Sequence, residues 1–215
     1  MHNNKIIDYF FIQTMSSDSQ HNIVFCIGSF STNTEIYPPI SVLKPYFQSS
    51  SNKNYSLIKE DHIKYNHLTS SRKTIQIDFI QIISLDKVNH ICNCADCYFI
   101  FIDLTNVNSK DNLKEIFSYF EWHCSFDKKI FVLGIHTNQT DNKIENKIKV
   151  MIGSKHKMKI KYFQIHIENT SQTETLLNNL IDEEIQKKLQ KLKKQECEDN
   201  IDKYDDMSRS ICEII

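Results

Sequence analysis

Glycine is nearly absent: the 215 residues hold three, Gly28, Gly134 and Gly153, where average usage of about 7% would supply roughly fifteen. Having no side chain, glycine lets a backbone close on a phosphate and adopt φ > 0. So few of them argue against a glycine-rich nucleotide cradle. An excess of one charge is missing too. Lys and Arg number 26 against 27 Asp and Glu, a net charge of −1, which leaves no field to draw nucleic-acid phosphates. No apolar run approaches the roughly 18 residues of a membrane span, and Met1 to Tyr9 carries none of signal-peptide length. Seven cysteines, an odd number at irregular spacings, then read as reduced thiols in a cytosolic compartment. What remains, 40% hydrophobic and 25% charged residues, is the composition of a globular domain with a core.

Short apolar runs alternate with polar, helix-like stretches. Ile6 to Ile12 reads as a buried strand and Gln13 to His21 as a polar loop. Asn22 to Ile27 fits a short helix or a strand. Ile40 to Gln48 is strand-like, but Pro45 cannot donate to a ladder and belongs at a sheet edge. Ser49 to Tyr55 is a loop, and the polar region to Lys73 gives no assignment. Thr74 to Ser84 sets Ile75, Ile77 and Phe79 against Gln76 and Asp78, the period of a half-buried strand. Tyr98 to Ile102 is continuously apolar and stops at Asp103, like a central parallel strand. Asn108 to Trp122 places Leu113, Ile116, Phe117 and Phe120 on one helical face. Ile130 to Ile135 and Ile160 to Ile167 are further strands, with a helix over Lys143 to Ile152 between them. Thr173 to Gln195 is a long helix with a stripe from Leu176 to Leu192. Strands alternating with helices predict an α/β domain with a mainly parallel sheet.

One segment carries a resemblance. Ala95 to Leu113 (ADCYFIFIDLTNVNSKDNL) resembles the fourth strand and helix entry of Rab-type small GTPases: an Ala-Asp pair, an apolar strand, then Asp103, Leu104, Thr105, Asn106 and Ser109. Phe131 to Gly134 resembles the strand before the family's base-recognition motif, and Tyr37-Pro38-Pro39-Ile40 its first switch. The resemblance covers Ile6 to Leu192. It implies a small-GTPase-like fold of P-loop NTPase type, a mixed six-stranded sheet flanked by about five helices, with a charged C-terminal helical tail. On this reading the domain is 1–195 and the tail 196–215.

The resemblance also says which residues the chemistry would need. A phosphate loop reads G-x-x-x-x-G-K-[ST] after the first strand. With Ile6 to Ile12 as that strand, Gln13 and Asp18 stand for the glycines, Ser19 for the lysine and Gln20 for the Mg²⁺ hydroxyl. A second register, with Asn22 to Ile27 as the strand, runs from Gly28 to Glu35, with Thr32 at the approach. It puts Asn33 for the second glycine, Thr34 for the lysine and Glu35 for the hydroxyl. The first register is preferred, because it leaves room for a helix before Tyr37. Pro39, with neither hydroxyl nor N–H, occupies the switch threonine's place. No D-x-x-G-Q follows the third strand, since Asp78 and Gln81 lack the glycine between them, and the stretch from Ser84 to Cys94 replaces the mobile switch. After Gly134 the sequence reads Ile135, His136, Thr137 and Asn138. The Asn138 amide offers one acceptor where a carboxylate would take both guanine N–H groups. The last motif falls at Ile167-Glu168-Asn169 and is also missing. The chain therefore reads as a pseudo-GTPase with no catalytic residues, no nucleotide site and no cofactor.

Other constellations are weaker. His90, Cys92, Cys94 and Cys97 form H-x-C-x-C-x-x-C, a zinc-like set without a second ligand pair nearby. His21, His136 and His166 fall at strand ends, without a nucleophile to serve; Cys26 and Cys124 have no base. Cys212-Glu213-Ile214-Ile215 has a prenylation shape. Its flank, however, joins Lys187 to Lys194 with an acidic run, Glu196 to Asp206, that an anionic membrane repels. The resulting expectation is a non-catalytic binding or scaffold subunit whose partners are other proteins of a stable assembly, with no nucleic acid, and with a membrane only if Cys212 is prenylated. Rab-like relatives suggest vesicle traffic, cilia or cytoskeleton as the setting. The alternatives are a divergent Rab-like GTPase that still binds GTP or GDP and regulates membrane traffic, and a zinc-binding interaction module.

Overall fold

The structure is a computed structural model that describes residues 24–33, 55–59, 62–68, 74–82, 95–123, 127–137, 140 and 142–212. Among these, seven strands form one mixed sheet. They are β1 (Val24–Ser31), β2 (Tyr55–Lys59), β3 (His62–Leu68), β4 (Thr74–Gln81), β5 (Cys97–Asp103), β6 (Lys129–His136) and β7 (Lys159–His166). Three helices accompany them: α1 (Ser109–His123), α2 (Asn142–Gly153) and α3 (Thr170–Cys212). The order is β2-β3-β4-β1-β5-β6-β7. Strands β4, β1, β5, β6 and β7 are parallel, and β2 and β3 add antiparallel ladders at one edge. The sheet has one strand more than the six the resemblance implies, and three helices lie among the described residues where about five are implied.

Side chains alternate across the sheet, because successive Cβ atoms point to opposite faces. Phe25, Ile27, Ile77, Phe79, Cys97, Phe99, Phe101, Phe131 and Leu133 share a core with Leu177, Leu180, Ile181, Ile185 and Leu189 of α3. Phe99 meets Phe131 edge-on, ring centroids 5.3 Å apart. The opposite face packs Phe30, Tyr98, Ile100, Ile102 and Val132 against Leu113, Ile116, Phe117 and Phe120 of α1 and Ile144 and Ile148 of α2. The result is three layers, helix on sheet on helix. Every residue of β5 is buried, as its unbroken apolar run predicts.

The structure chooses between the two readings of one segment. Residues 24–27, for which a helix is one reading, are strand, and β1 continues through Gly28 to Ser31. Gly28 is therefore in a strand interior, not at a loop or helix end. β1 is also the strand between β4 and β5, whereas the preferred register makes Ile6 to Ile12 the first strand. Those residues lie outside the described ones, as do the switch-like Tyr37 to Ile40 and the strand-like Ile40 to Gln48. The unassigned polar region contains β2 and β3. Ile63 and Tyr65 are the buried apolar residues of β3 among those described, and His62 and Lys64 beside them reach Asp78 of the neighbouring strand. The period is thus masked by polar residues that find partners. The expected boundary at 195 falls inside α3, which continues helical to Cys212.

Candidate functional site

In open α/β sheets ligands bind beyond the carboxyl ends of the strands, where the chain switches direction across the sheet. Here it leaves β1 for β2, β3 and β4 on one side and then crosses to β5 on β1's other side. The ends of β1 and β5 are joined by backbone: Thr32 N donates to Phe101 O at 2.9 Å. Side chains then close the space. Asp103, 1% exposed, accepts through Oδ1 from Thr105 N at 2.9 Å and Thr105 Oγ1 at 2.6 Å. Its Oδ2 accepts from Asn33 Nδ2 at 3.0 Å. Asp103 N donates to Thr32 Oγ1 at 3.1 Å, and Ser109 Oγ donates to Asp103 O at 2.6 Å. Asn112 Nδ2 reaches back to Thr32 O at 2.9 Å. Asn108 O receives Asp111 N and Asn112 N and begins α1. The polar residues Asp103, Thr105 and Ser109 thus turn the chain from β5 into α1 and, with Thr32 and Asn33, tie both elements to β1.

The four residues from Gly28 to Ser31, which open the phosphate loop in the second register, are extended. Gly28 pairs with Ile80 and Tyr98, Ser29 with Gln81 and Phe99, Phe30 with Ile100 and Ser31 with Phe101. Their backbone is spent on ladder hydrogen bonds rather than turned toward a ligand. Gly28 has a packing reason to lack a side chain. A Cβ there would stand 2.8 Å from the Tyr98 ring, closer than real Cβ contacts come, and Tyr98 is fully buried. Thr34 and Glu35, like Gln13, Asp18, Ser19, Gln20 and Pro39, lie outside the described residues.

A second polar cluster sits at the ends of β6 and β7, where base recognition is expected. Glu145 of α2 is 4% exposed. Its Oε1 accepts from Gln164 Nε2 at 2.6 Å, Tyr162 hydroxyl at 3.1 Å and Lys149 Nζ at 2.6 Å, and its Oε2 lies 3.2 Å from His136 Nε2. Burial by itself raises the Glu145 pKa, but the hydrogen bonds from Lys149, Gln164 and Tyr162 outweigh it and hold the carboxyl at about 2. The Tyr162 hydroxyl is pushed up, by burial first and then by the Glu145 charge. Gly134 makes this possible, because a Cβ there would overlap the Tyr162 hydroxyl on its way to Glu145. The rings of His136 and His166 are 5.2 Å apart. Asn138 lies outside the described residues.

No family model matches this chain, and no curated protein does. The site is therefore read from its own geometry. Both clusters are donor–acceptor sets whose carboxylates are occupied by neighbouring protein groups.

At the opposite end of the sheet, an open cleft of about 550 Å³ lies between the starts of β5, β6 and β7 and the middle of α3. Lys129 Nζ reaches Glu184 at 2.6 Å and Glu183 at 3.0 Å, and Lys188 Nζ reaches Asp96 at 2.8 Å. Asp96 also accepts from Cys26 N. Hydrogen bonds from Lys187 and Lys129 hold the Glu183 carboxyl at about 2.

Of the zinc-like set, only Cys97 falls among the described residues; His90, Cys92 and Cys94 do not. Cys97 is fully buried in β5. Burial, then the charges of Glu184 and Asp96, pushes its thiol well up, which opposes the thiolate a metal needs. Among the described residues no three His, Cys, Asp or Glu side chains gather as a metal site would require, and no helix is long and apolar enough to cross a membrane. His166 ends β7 and Cys212 ends α3; His21 and Cys124 are outside the described residues.

Sequence reasoning misses Glu145, Tyr162 and Gln164. Glu145 follows Ile144 in a helix whose apolar repeat marks it as a boundary residue, and only the β6–β7 register brings Tyr162 and Gln164 to it. Proximity across strands leaves no mark in the sequence of either.

Proposed function

We propose that this chain is a non-catalytic small-GTPase-like protein, a pseudo-GTPase, that acts as a binding or scaffold subunit of a larger intracellular assembly. A mixed, mainly parallel sheet covered by helices on both faces is compatible with that fold. The Asp103–Ser109 segment, which carries the resemblance, works as the joint between β5, β1 and α1. One observation supports the loss of chemistry, and it bears on the second register. Where the second register asks for a phosphate loop, Gly28 to Ser31 are strand, laddered to β5 on one side and, at Gly28 and Ser29, to β4 on the other. Nearby, the Asp103 carboxylate is taken up by Asn33 and Thr105. Phosphates need free N–H groups turned toward them, and these N–H groups lie in the plane of a sheet.

A binding role is supported by the surface. Trp122, the single tryptophan, is 84% exposed near the end of α1, and tryptophan is enriched among residues that anchor protein interfaces. By analogy with the family it resembles, the assembly is one of vesicle traffic, cilia or cytoskeleton.

The test is thermal denaturation with GTP or GDP and Mg²⁺. A nucleotide at about 100 times its Kd stabilises by about 2.7 kcal/mol, which for a chain of this size raises Tm by roughly 5–10 °C. No shift is expected at millimolar nucleotide. A shift of that size, or guanine nucleotide released from the purified protein on heating, overturns the proposal. For partners, affinity capture with the native protein and with Trp122→Ala is read by mass spectrometry, and the variant loses the specific set.

A further inference from the structure

We infer that the cleft beside the middle of α3 is a docking groove for an acidic segment of a partner protein, an extended run of Asp or Glu. This depends neither on the nucleotide question nor on Trp122. The cleft lies between α3 and the starts of β5, β6 and β7, and its volume of about 550 Å³ is that of a ligand site. Seven lysines line it against three carboxylates, Asp96, Asp127 and Glu184, in a chain whose net charge is −1. A cleft lined by charge of one sign concentrates ligands of the other.

Part of this charge is already matched. Lys129 and Lys187 both draw on Glu183 and Glu184, and Lys188 takes Asp96. The pairs made by Lys129 and Lys188 tie α3 to the sheet, and none of these lysines is needed by a ligand. What is left over is the binding surface. Among the described residues no carboxylate pairs with Lys128, Lys159 or Lys191. Lys159 Nζ reaches the Asp127 carbonyl, a neutral acceptor, at 3.3 Å. Lys159 is also the register partner of Lys129 on the next strand, and like charges opposed in this way cost stability. The unmatched charge stands on both walls: Lys128 and Lys159 on the strand side, and Lys191, with Lys194 a turn further on, along α3.

Three features favour peptide carboxylates over phosphate. No arginine lines the cleft, so it lacks the forked donors that grip phosphate in pairs. The N-termini of α1, α2 and α3 follow the ends of β5, β6 and β7, so the free N–H groups that attract phosphate stand at the other end of the sheet. The three carboxylates among the lysines repel a compact cluster of negative charge more than single charges spaced along a chain. An extended chain also suits the two walls. Its successive side chains point to opposite sides, with alternate ones about 6.6–7 Å apart. A run of acidic residues therefore turns alternate carboxylates to Lys128 and Lys159. The others face Lys191 and Lys194, about 4.5 Å apart along the helix axis.

Fluorescence anisotropy of a labelled hexaglutamate peptide, titrated with the full chain, tests this. Saturable binding is expected at low ionic strength, weakening at least about tenfold as salt rises to about 0.5 M. Lys128→Glu/Lys159→Glu/Lys191→Glu should also weaken it at least about tenfold. Lys110→Glu/Lys114→Glu, on α1 across the sheet, should leave it unchanged. Carbodiimide coupling of the peptide to the unaltered chain gives a reading that needs no variant, with cross-links expected at Lys128, Lys159, Lys191 or Lys194. Absence of binding at low salt overturns the inference, as do equal losses in the two variants or cross-links spread over lysines elsewhere. Displacement of the peptide by tripolyphosphate at a lower concentration than by unlabelled hexaglutamate also overturns it, because the cleft is then a phosphate site. Peptide binding that persists alongside a nucleotide-induced rise in Tm refutes the pseudo-GTPase reading and upholds this one.

Discussion

Replacing Gly28 by alanine should destabilise the protein, although alanine is ordinarily the better strand residue. In a strand interior, removing glycine gains about 0.5–1 kcal/mol by lowering the entropy lost on folding. Here the added methyl meets the Tyr98 ring carbons at 2.8 and 2.9 Å. The ring has little room to retreat: it is fully buried, with Phe120 4.6 Å away edge-on and Phe30 6.2 Å away, centroid to centroid. Overpacking of this kind costs about 1–3 kcal/mol, so a net loss of about 1–2 kcal/mol is expected. Urea titration followed by circular dichroism reads it as a lower midpoint at unchanged slope. The partner variant isolates the cause. Tyr98→Leu alone opens a cavity and costs about 2 kcal/mol, but it also removes the ring that the methyl strikes. The double variant should then be more stable than the sum of the two losses by about 1–2 kcal/mol, the coupling typical of residues in contact. If Gly28→Ala is neutral or stabilising, or if the two costs simply add, then Gly28 is not there to seat Tyr98. The structural explanation of that glycine then fails.

Asp103→Ala removes the acceptor for Asn33 Nδ2, Thr105 N and Thr105 Oγ1; leaving those donors unmatched should cost about 2–4 kcal/mol, measured by the same titration. Glu145 makes acid stability a reporter of its cluster. Its folded pKa of about 2 lies below the ordinary 4.5, so its contribution is complete above about 4.5 and is lost as pH falls toward 2. Up to about 3 kcal/mol is at stake by linkage. Glu145→Gln should flatten the acid limb of stability against pH in that window, and an unchanged limb refutes the role given to the carboxylate. Tyr162→Phe removes one of its donors and should cost about 1 kcal/mol, with the midpoint of the Glu145-dependent limb moving up in pH.

The sequence makes the core strands and the amphipathic helices legible because each is a local pattern. The period of Ile75, Ile77 and Phe79, the unbroken run of β5 and the α1 face of Leu113, Ile116, Phe117 and Phe120 all stand where the pattern puts them. Gly153 ends α2, as a glycine after an apolar repeat suggests. The β2–β3 hairpin is illegible because His62 and Lys64 are polar residues facing a buried carboxylate, Asp78. That carboxylate is invisible as a partner until β3 and β4 are paired. Burial raises the pKa of that carboxylate, but the nearby His62, the hydrogen bond from Gln76 and the charge of Lys64 leave it lowered.

The chain's scarcity of glycine belongs to the sequence alone, and so does the lack of a G-x-x-x-x-G-K-[ST] run, since no two of its three glycines stand five residues apart. Why two of the three glycines stand where they do is decided only by tertiary contact. Gly28 and Gly134 each face a tyrosine from the neighbouring strand, Tyr98 and Tyr162. Neither pair is close in sequence, and neither glycine sits in a turn. The void each one leaves is filled by a ring that arrives only when parallel strands align, and strand register is a property of the assembled sheet.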